Sequence, residues 1–233
     1  MEIASGSLYL VSTPIGNLAD ITLRALKILS EVDLIAAEDT RKTGHLLKHH
    51  QIKKPSLLAY YEAVERKRLP QLINLLREGK KIALVTNAGT PTISDPGFNL
   101  VRECLNQGIE IETIPGPSAI LAALSISGLP PDKFIFLGFL PKKAGKRKKL
   151  LSDLAVSQKK PRATIIFFES PHRLIKSLTC LQEVFGDIQL VICRELTKIH
   201  QETRREKVSQ AIAHFEKVKP KGELTLLFRI PPE

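Results

Sequence analysis

Apolar residues along this chain gather into short runs separated by segments of helical spacing. Strand-like runs recur at 7–12, 33–38, 81–86, 109–114, 134–138, 163–169, 188–194 and 224–229. Several are nearly continuous in Val, Ile, Leu and Ala, as expected of buried parallel strands, and Ala163–Phe168 is the clearest. Between them the period lengthens. Asp20 is positioned to cap a helix over 21–31 with Leu23, Leu26 and Leu29 on one face. Glu62 to Arg77 carries Leu69, Leu72, Ile73 and Leu76 at helical spacing. Asp95-Pro96, Gly116-Pro117 and Ser170-Pro171 each put a proline just inside an expected helix start, with Asp95 and Ser170 as caps. This alternation predicts an α/β fold in two parts: residues 1–114 with a mainly parallel sheet, and 118–233 as a second α/β domain entered by a helix from Pro117.

Three apolar runs end in loops punctuated by Gly and Pro: Ser12-Thr13-Pro14-Ile15-Gly16-Asn17, Thr86-Asn87-Ala88-Gly89-Thr90-Pro91 and Pro115-Gly116-Pro117-Ser118-Ala119. Ligands of open α/β sheets bind at the carboxyl ends of strands, so three such loops point to one small-ligand pocket. They do not read as phosphate cradles. No GxGxxG follows a strand, and Pro14, Pro91, Pro115 and Pro117 lack the N–H an anion nest requires. The segment from Gly138 to Lys146 superficially resembles a Walker loop. Its glycines are too far apart, and Arg147 stands where Ser or Thr is needed. Stiff loops with small residues suit backbone contact with a neutral or zwitterionic ligand such as S-adenosylmethionine.

Composition narrows the picture. The 233 residues are 43% hydrophobic but only 5% aromatic, with no Trp, so aliphatic side chains must build the core. Cys104, Cys180 and Cys193 have no CxxC spacing, and Cys104 and Cys193 sit in apolar runs as expected of buried reduced thiols. Met1–Ala4 carries no basic leader, and no apolar stretch is long enough for a bilayer, so the expectation is a cytosolic protein with no membrane partner. The formal charge of +11 calls for a polyanion, best met by nucleic acid.

The loops above, with Glu38-Asp39-Thr40-Arg41, Asp95-Pro96-Gly97, Gly138-Phe139-Leu140-Pro141, Glu169-Ser170-Pro171-His172-Arg173, Arg194-Glu195-Leu196-Thr197-Lys198 and Lys221-Gly222-Glu223, stand in an order that resembles the ribosomal RNA small subunit methyltransferase I family. Those are tetrapyrrole methylase-like (class III) methyltransferases. The resemblance covers nearly the whole chain. It implies two α/β domains with a cofactor cleft between them, S-adenosyl-L-methionine as donor, and a homodimer. It also implies 2′-O-methylation of a cytidine in 16S rRNA of the small ribosomal subunit. For donor binding it implies Pro14, Ile15, Gly16, Gly89, Thr90, Ile93, Ser118 and Ala119, and in the second domain Phe168, Glu169, Leu196 and Gly222. Asn87 departs from the Asp usual in that family.

Transfer to a ribose hydroxyl benefits from a general base. Glu38 and Asp39, just past the second strand, are candidates, with Arg41 to hold a phosphate or orient the carboxylate; Asp39 reads equally as a helix cap. Lys198 is a further catalytic candidate, as a base of lowered pKa or a phosphate contact. Lys142, Lys143, Lys146, Arg147, Lys148 and Lys149 form a basic run expected to grip rRNA phosphate as a mobile arm, extended more weakly by Arg204, Arg205 and Lys207. Tyr60 and Tyr61 are placed to stack an unpaired base or to pack in the core or a dimer interface. His172 reads as a donor or RNA contact or as a surface residue. His45 and His49, four apart, read as a solvated helix face, and no protein-bound metal is expected. Two other functions stay open: a tetrapyrrole methyltransferase of the same fold, and a non-catalytic rRNA-binding assembly factor.

Overall fold

A computed structural model describes residues 6–53, 55–157 and 162–230; Met1–Ala4 therefore lies outside the described residues. The chain divides into two compact units, Met1–Ser118 and Ala119–Glu233.

In the first unit, β1 (Ser7–Val11), β2 (Leu34–Ala37), β3 (Ser56–Ala59), β4 (Ile82–Val85) and β5 (Glu110–Ile114) form one parallel sheet in the order β3-β2-β4-β1-β5. Helices α1 (Leu23–Glu31), α2 (Thr40–His49), α3 (Glu62–Arg77) and α4 (Phe98–Asn106) connect the strands. β2 and β4 are almost wholly buried because two aliphatic cores lie against the sheet, one around Leu29, Ile35 and Leu47, the other around Leu72, Leu76 and Leu100. Cys104 lies buried in the second, where desolvation pushes its thiol up to about 11.

In the second unit, β6 (Phe134–Phe139), β7 (Thr164–Glu169), β8 (Gln189–Arg194), β9 (Glu202–Lys207) and β10 (Leu224–Arg229) take the order β6-β7-β10-β8-β9. Only β6 and β7 pair in parallel; the other pairs are antiparallel. Thus β7, expected as a parallel strand, is antiparallel on one side. Its continuous apolar run comes from burial on both faces. α6 (Ala144–Ser157), α7 (Leu174–Phe185) and α8 (Val208–Lys217) build a core on one face with Ile165 and Phe167. α5 (Ala119–Ser127) packs against β10. Cys180 and Cys193 are buried free thiols.

Several local expectations change. α1 begins at Leu23, capped by Thr22, whose hydroxyl accepts the Ala25 N–H; Asp20 lies in a short 3-10 turn instead. The buried line of α1 is Ala25 and Leu29, with Leu23 86% exposed. α4 starts after Gly97, not at Pro96, because Gly97 takes φ 128° and a Cβ there would meet Leu84 Cδ2 at 2.5 Å. α5 starts at Ala119, two residues beyond Pro117. α3 spans the expected Glu62–Arg77.

Candidate active site

The sheet order sets β4, β1 and β5 side by side, so the three punctuated loops leave from neighbouring strand ends. Backbone bonds tie them together. Thr13 N–H donates to Gly89 O and Gly89 N–H to Thr13 O, both at 2.9 Å. Ser12 N–H donates to Ile114 O at 3.2 Å, and the Ser12 hydroxyl to Thr90 Oγ1 at 3.2 Å. The Thr13 hydroxyl donates to Thr86 O at 3.1 Å. Gly116 passes so close to Ser12 that a Cβ would sit 3.0 Å from the Ser12 Cβ. Pro14 and Ile15 are buried beneath this frame, Gly16 and Ile93 are exposed, and Thr90, Ser118 and Ala119 are half-buried. Thr92 and Ser94 hold positive φ (73° and 65°), a strain that β-branched or hydroxyl residues take up only where surrounding structure enforces it.

β2 borders β4 and brings Glu38 to the same edge. Glu38 Oε2 accepts the Asn87 N–H at 2.9 Å. Asn87 Oδ1 is buried and has no hydrogen-bond partner among the described residues. Asp39 is differently employed. It caps α2: its Oδ1 accepts the Arg41 N–H at 2.9 Å and Nε–H at 3.1 Å, and its Oδ2 pairs with Arg41 Nη2 at 2.8 Å. The Arg41 side-chain and backbone bonds hold the Asp39 carboxyl far below the ordinary carboxylate range, which makes it a poor proton acceptor. The Arg41 side chain is 86% exposed.

In the second unit, the segment after β8 is strained at Glu195 (φ 51°) and Thr197 (φ 66°). Glu195 Oε1 accepts the Glu223 N–H at 2.9 Å and Lys198 Nζ at 2.9 Å; Lys198 also donates to Glu223 Oε2 at 3.0 Å. Desolvation pulls the Lys198 pKa down, but the bonds to Glu195 and Glu223 outweigh it, and the net shift is upward. A lysine of lowered pKa is therefore not what this site holds. Gly222 stands directly against Glu195, at φ 85°. Leu196 is buried. Phe168 is half-buried, its ring 4.9 Å from that of Phe136 and 5.6 Å from that of Phe139. The buried Glu169 carboxylate is consumed internally, accepting the Ser177 hydroxyl and the Ser170 N–H. It offers a ligand only its backbone.

The basic run is not a mobile arm. Ala144 onward is the first turns of α6, and Arg147 is only 5% exposed. Lys148 pairs with Glu183 at 2.8 Å, while Lys142, Lys143, Lys146 and Lys149 are exposed. The missed signal was positional, for Arg147 is in helical register with the buried Leu151 and Leu154. Arg204 is spent on Glu206 and Glu202 and on the Phe215 ring. Arg205 donates to the carbonyls of Ser127 and Ile126 at the end of α5. Tyr60 is fully buried with its hydroxyl on Glu65 Oε1, so it cannot stack a base; Tyr61 is exposed. His45, His49 and His172 are exposed.

Residues 7–212 match the family described as Tetrapyrrole (Corrin/Porphyrin) Methylases. The chain is 55% identical to the ribosomal RNA small subunit methyltransferase I of Thermotoga maritima, over 95% of this chain and 97% of that one. To its Synechocystis counterpart it is 49% identical, over 95% and 78%. Among solved structures, it is similar to uroporphyrin-III-C-methyltransferase from Thermus thermophilus, with TM-score 0.67, 23% identity and coverage of 96% and 94%. A cobalt precorrin-4 methyltransferase gives TM-score 0.69 at 20% identity, covering 95% and 94%. At those identities the likeness is one of fold.

Proposed function

This chain belongs to the tetrapyrrole (corrin/porphyrin) methylase family, and on that premise we propose that it methylates the 2′-oxygen of a cytidine in 16S rRNA. It is an S-adenosylmethionine-dependent rRNA methyltransferase of the ribosomal RNA small subunit methyltransferase I kind. The observation that carries this is 55% identity with such an enzyme along nearly all of both chains.

The first unit fits the donor. Its loops are proline-stiffened and poor in free N–H, which disfavours phosphate but not a zwitterion. The orphaned Asn87 Oδ1 is an acceptor suited to an ammonium or hydroxyl of a bound ligand. Pro14, Ile15 and Gly16 of the first loop, Gly89, Thr90 and Ile93 of the second, and Ser118 and Ala119 of the third are donor contacts in this reading. Phe168, Leu196, Gly222 and the backbone of Glu169 are those of the second unit. When bound, S-adenosylmethionine supplies a methyl already activated on a sulfonium, so positioning carries much of the rate.

Glu38 is the base this reading selects. Its Oε2 is held by a single backbone N–H, whereas Asp39 is locked to Arg41 and Lys198 to two carboxylates. It takes the 2′-hydroxyl proton, and the exposed Arg41 meets a neighbouring phosphate. The reading includes a homodimer acting in the cytoplasm on 16S rRNA in the small ribosomal subunit, which sedimentation with and without subunits examines. The decisive experiment offers labelled donor and small subunits. Label should enter one cytidine and vanish when that residue is 2′-deoxycytidine. Labelling that survives the deoxy substitution refutes the 2′-O assignment, and subunit binding without labelling refutes catalysis.

A further inference from the structure

The turn that follows β6 is held by two arginines from different elements. Arg173, in the 3-10 turn Pro171–Arg173, donates through Nη2 to Leu140 O. Arg147, on α6, donates through Nη1 to Pro141 O at 3.3 Å and reaches Lys142 O at 3.5 Å. Three consecutive carbonyls are thereby pinned from two sides. Arg173 is itself fixed. Its Nε lies 3.2 Å from Glu169 Oε1, an ion pair out of line for a hydrogen bond, and Glu169 is anchored by Ser177 and Ser170.

Arg147 is the unusual member. It is 5% exposed, no carboxylate among the described residues pairs with it, and its Nε has no partner. A buried cation without a counter-charge is costly, and packing alone would be served better by an aliphatic residue at that position. What the guanidinium adds is its bonds to the backbone that carries Lys142 and Lys143. Those lysines, with Lys146 one turn on, are exposed on the fixed segment.

We propose that Arg147 and Arg173 are positioning residues for RNA binding: they lock the Leu140–Lys142 turn so that Lys142, Lys143 and Lys146 meet phosphates as a preset array. Neither arginine touches RNA. Their contribution is to remove the ordering cost the lysines would otherwise carry on binding. The inference rests on the reading that this segment contacts rRNA.

The test measures binding of the full-length protein to small ribosomal subunits across a salt series. Donor affinity by calorimetry and the melting temperature serve as controls. Arg147→Met should weaken binding about ten-fold with donor affinity unchanged. Its plot of log K against log salt should keep the wild-type slope, because no phosphate contact is lost. Arg147→Lys and Arg173→Lys, which retain charge but not the geometry of a guanidinium, should each show a smaller loss at the same slope. If Arg147→Met does not fold, these two decide the matter. Wild-type RNA affinity in the arginine variants overturns the proposal, and so does a slope lowered by a full contact, which would make the arginine a phosphate ligand. The triple variant Lys142→Ala, Lys143→Ala, Lys146→Ala tests the underlying reading separately. It should lower the slope by roughly 0.7–0.9 per contact removed. An unchanged slope there refutes the RNA-contact reading whatever the arginines do.

Discussion

Gly222→Ala is the substitution from which the second unit's strained site yields most. Gly222 sits at φ 85°, where a Cβ costs about 1–2 kcal/mol by backbone sterics alone. The same Cβ would meet Glu195 Cγ at 2.6 Å, with the carboxylate nearer still. Glu195 cannot yield freely, because its Oε1 holds the Glu223 N–H and Lys198 Nζ. Displacing it sacrifices a charged hydrogen bond worth about 1.5–3 kcal/mol. The combined cost is about 2.5–5 kcal/mol, a large share of an ordinary folding free energy.

Gly128→Ala is the matched control. Gly128 lies in the same unit at φ 77°, yet a Cβ there meets nothing within 4 Å, so only the backbone cost of about 1–2 kcal/mol applies. Thermal melting followed by far-UV circular dichroism should show Gly222→Ala falling by about 10 °C and Gly128→Ala by about 4 °C. Adding Glu195→Ala to Gly222→Ala removes the clash, so the double variant should be more stable than the two single losses predict by addition. Equal drops for the two glycine variants, or strict additivity in the double variant, would show that Glu195 does not fill the space against Gly222.

Three other outcomes follow from the same geometry. Glu38→Gln should lower kcat on small subunits by about 10²-fold while leaving donor affinity intact, and an unchanged kcat in single-turnover assays removes Glu38 as the base. Arg205→Ala should lower the melting temperature by about 2–4 °C through loss of the cap on the α5 carbonyls, with rRNA affinity unchanged by filter binding. The Ser209 N–H, then its hydroxyl, hold the Asp187 carboxyl below its ordinary range, so that interaction stabilises the fold at neutral pH and is lost as pH falls below about 4. Asp187→Asn should therefore flatten the dependence of melting temperature on pH between about 2 and 5, and an unaltered slope there contradicts the assignment.

How legible the fold was in the sequence depended on how apolar each strand is. The eight strands with an aliphatic run were expected close to where they form. β3 reads Ser-Leu-Leu-Ala at the sheet edge, with no β-branched residue and none fully buried, so little marks it as a strand. β9 reads Glu-Thr-Arg-Arg-Glu-Lys, with no apolar residue. It is nevertheless a strand, because its backbone completes the ladder on β8 and its charges pair with each other along one face: Glu202, Arg204 and Glu206. A charged edge also discourages sheet-to-sheet association. Helix starts depart from the positions their prolines suggest where another residue makes the turn, as Gly97 does after Pro96.

The site divides along the same physical line. Loop shape was readable because Gly and Pro constrain the backbone locally, and the Thr13–Gly89 bridge joins two loops that their composition already marked. Charge was not readable, because its meaning depends on partners distant in sequence. Asp39 and Lys198 looked like chemistry and are held by neighbours; Arg147 and Arg205 looked like RNA contacts and hold backbone. What distinguishes Glu38 is that its carboxylate bonds to a main-chain N–H rather than to a cation. A carboxylate so held is oriented without being neutralised, which is the condition a base at the edge of a donor site requires. Part of the formal charge of +11 is therefore spent within the fold, as Arg147 and Arg173 are on the backbone beneath the exposed Lys142 and Lys143.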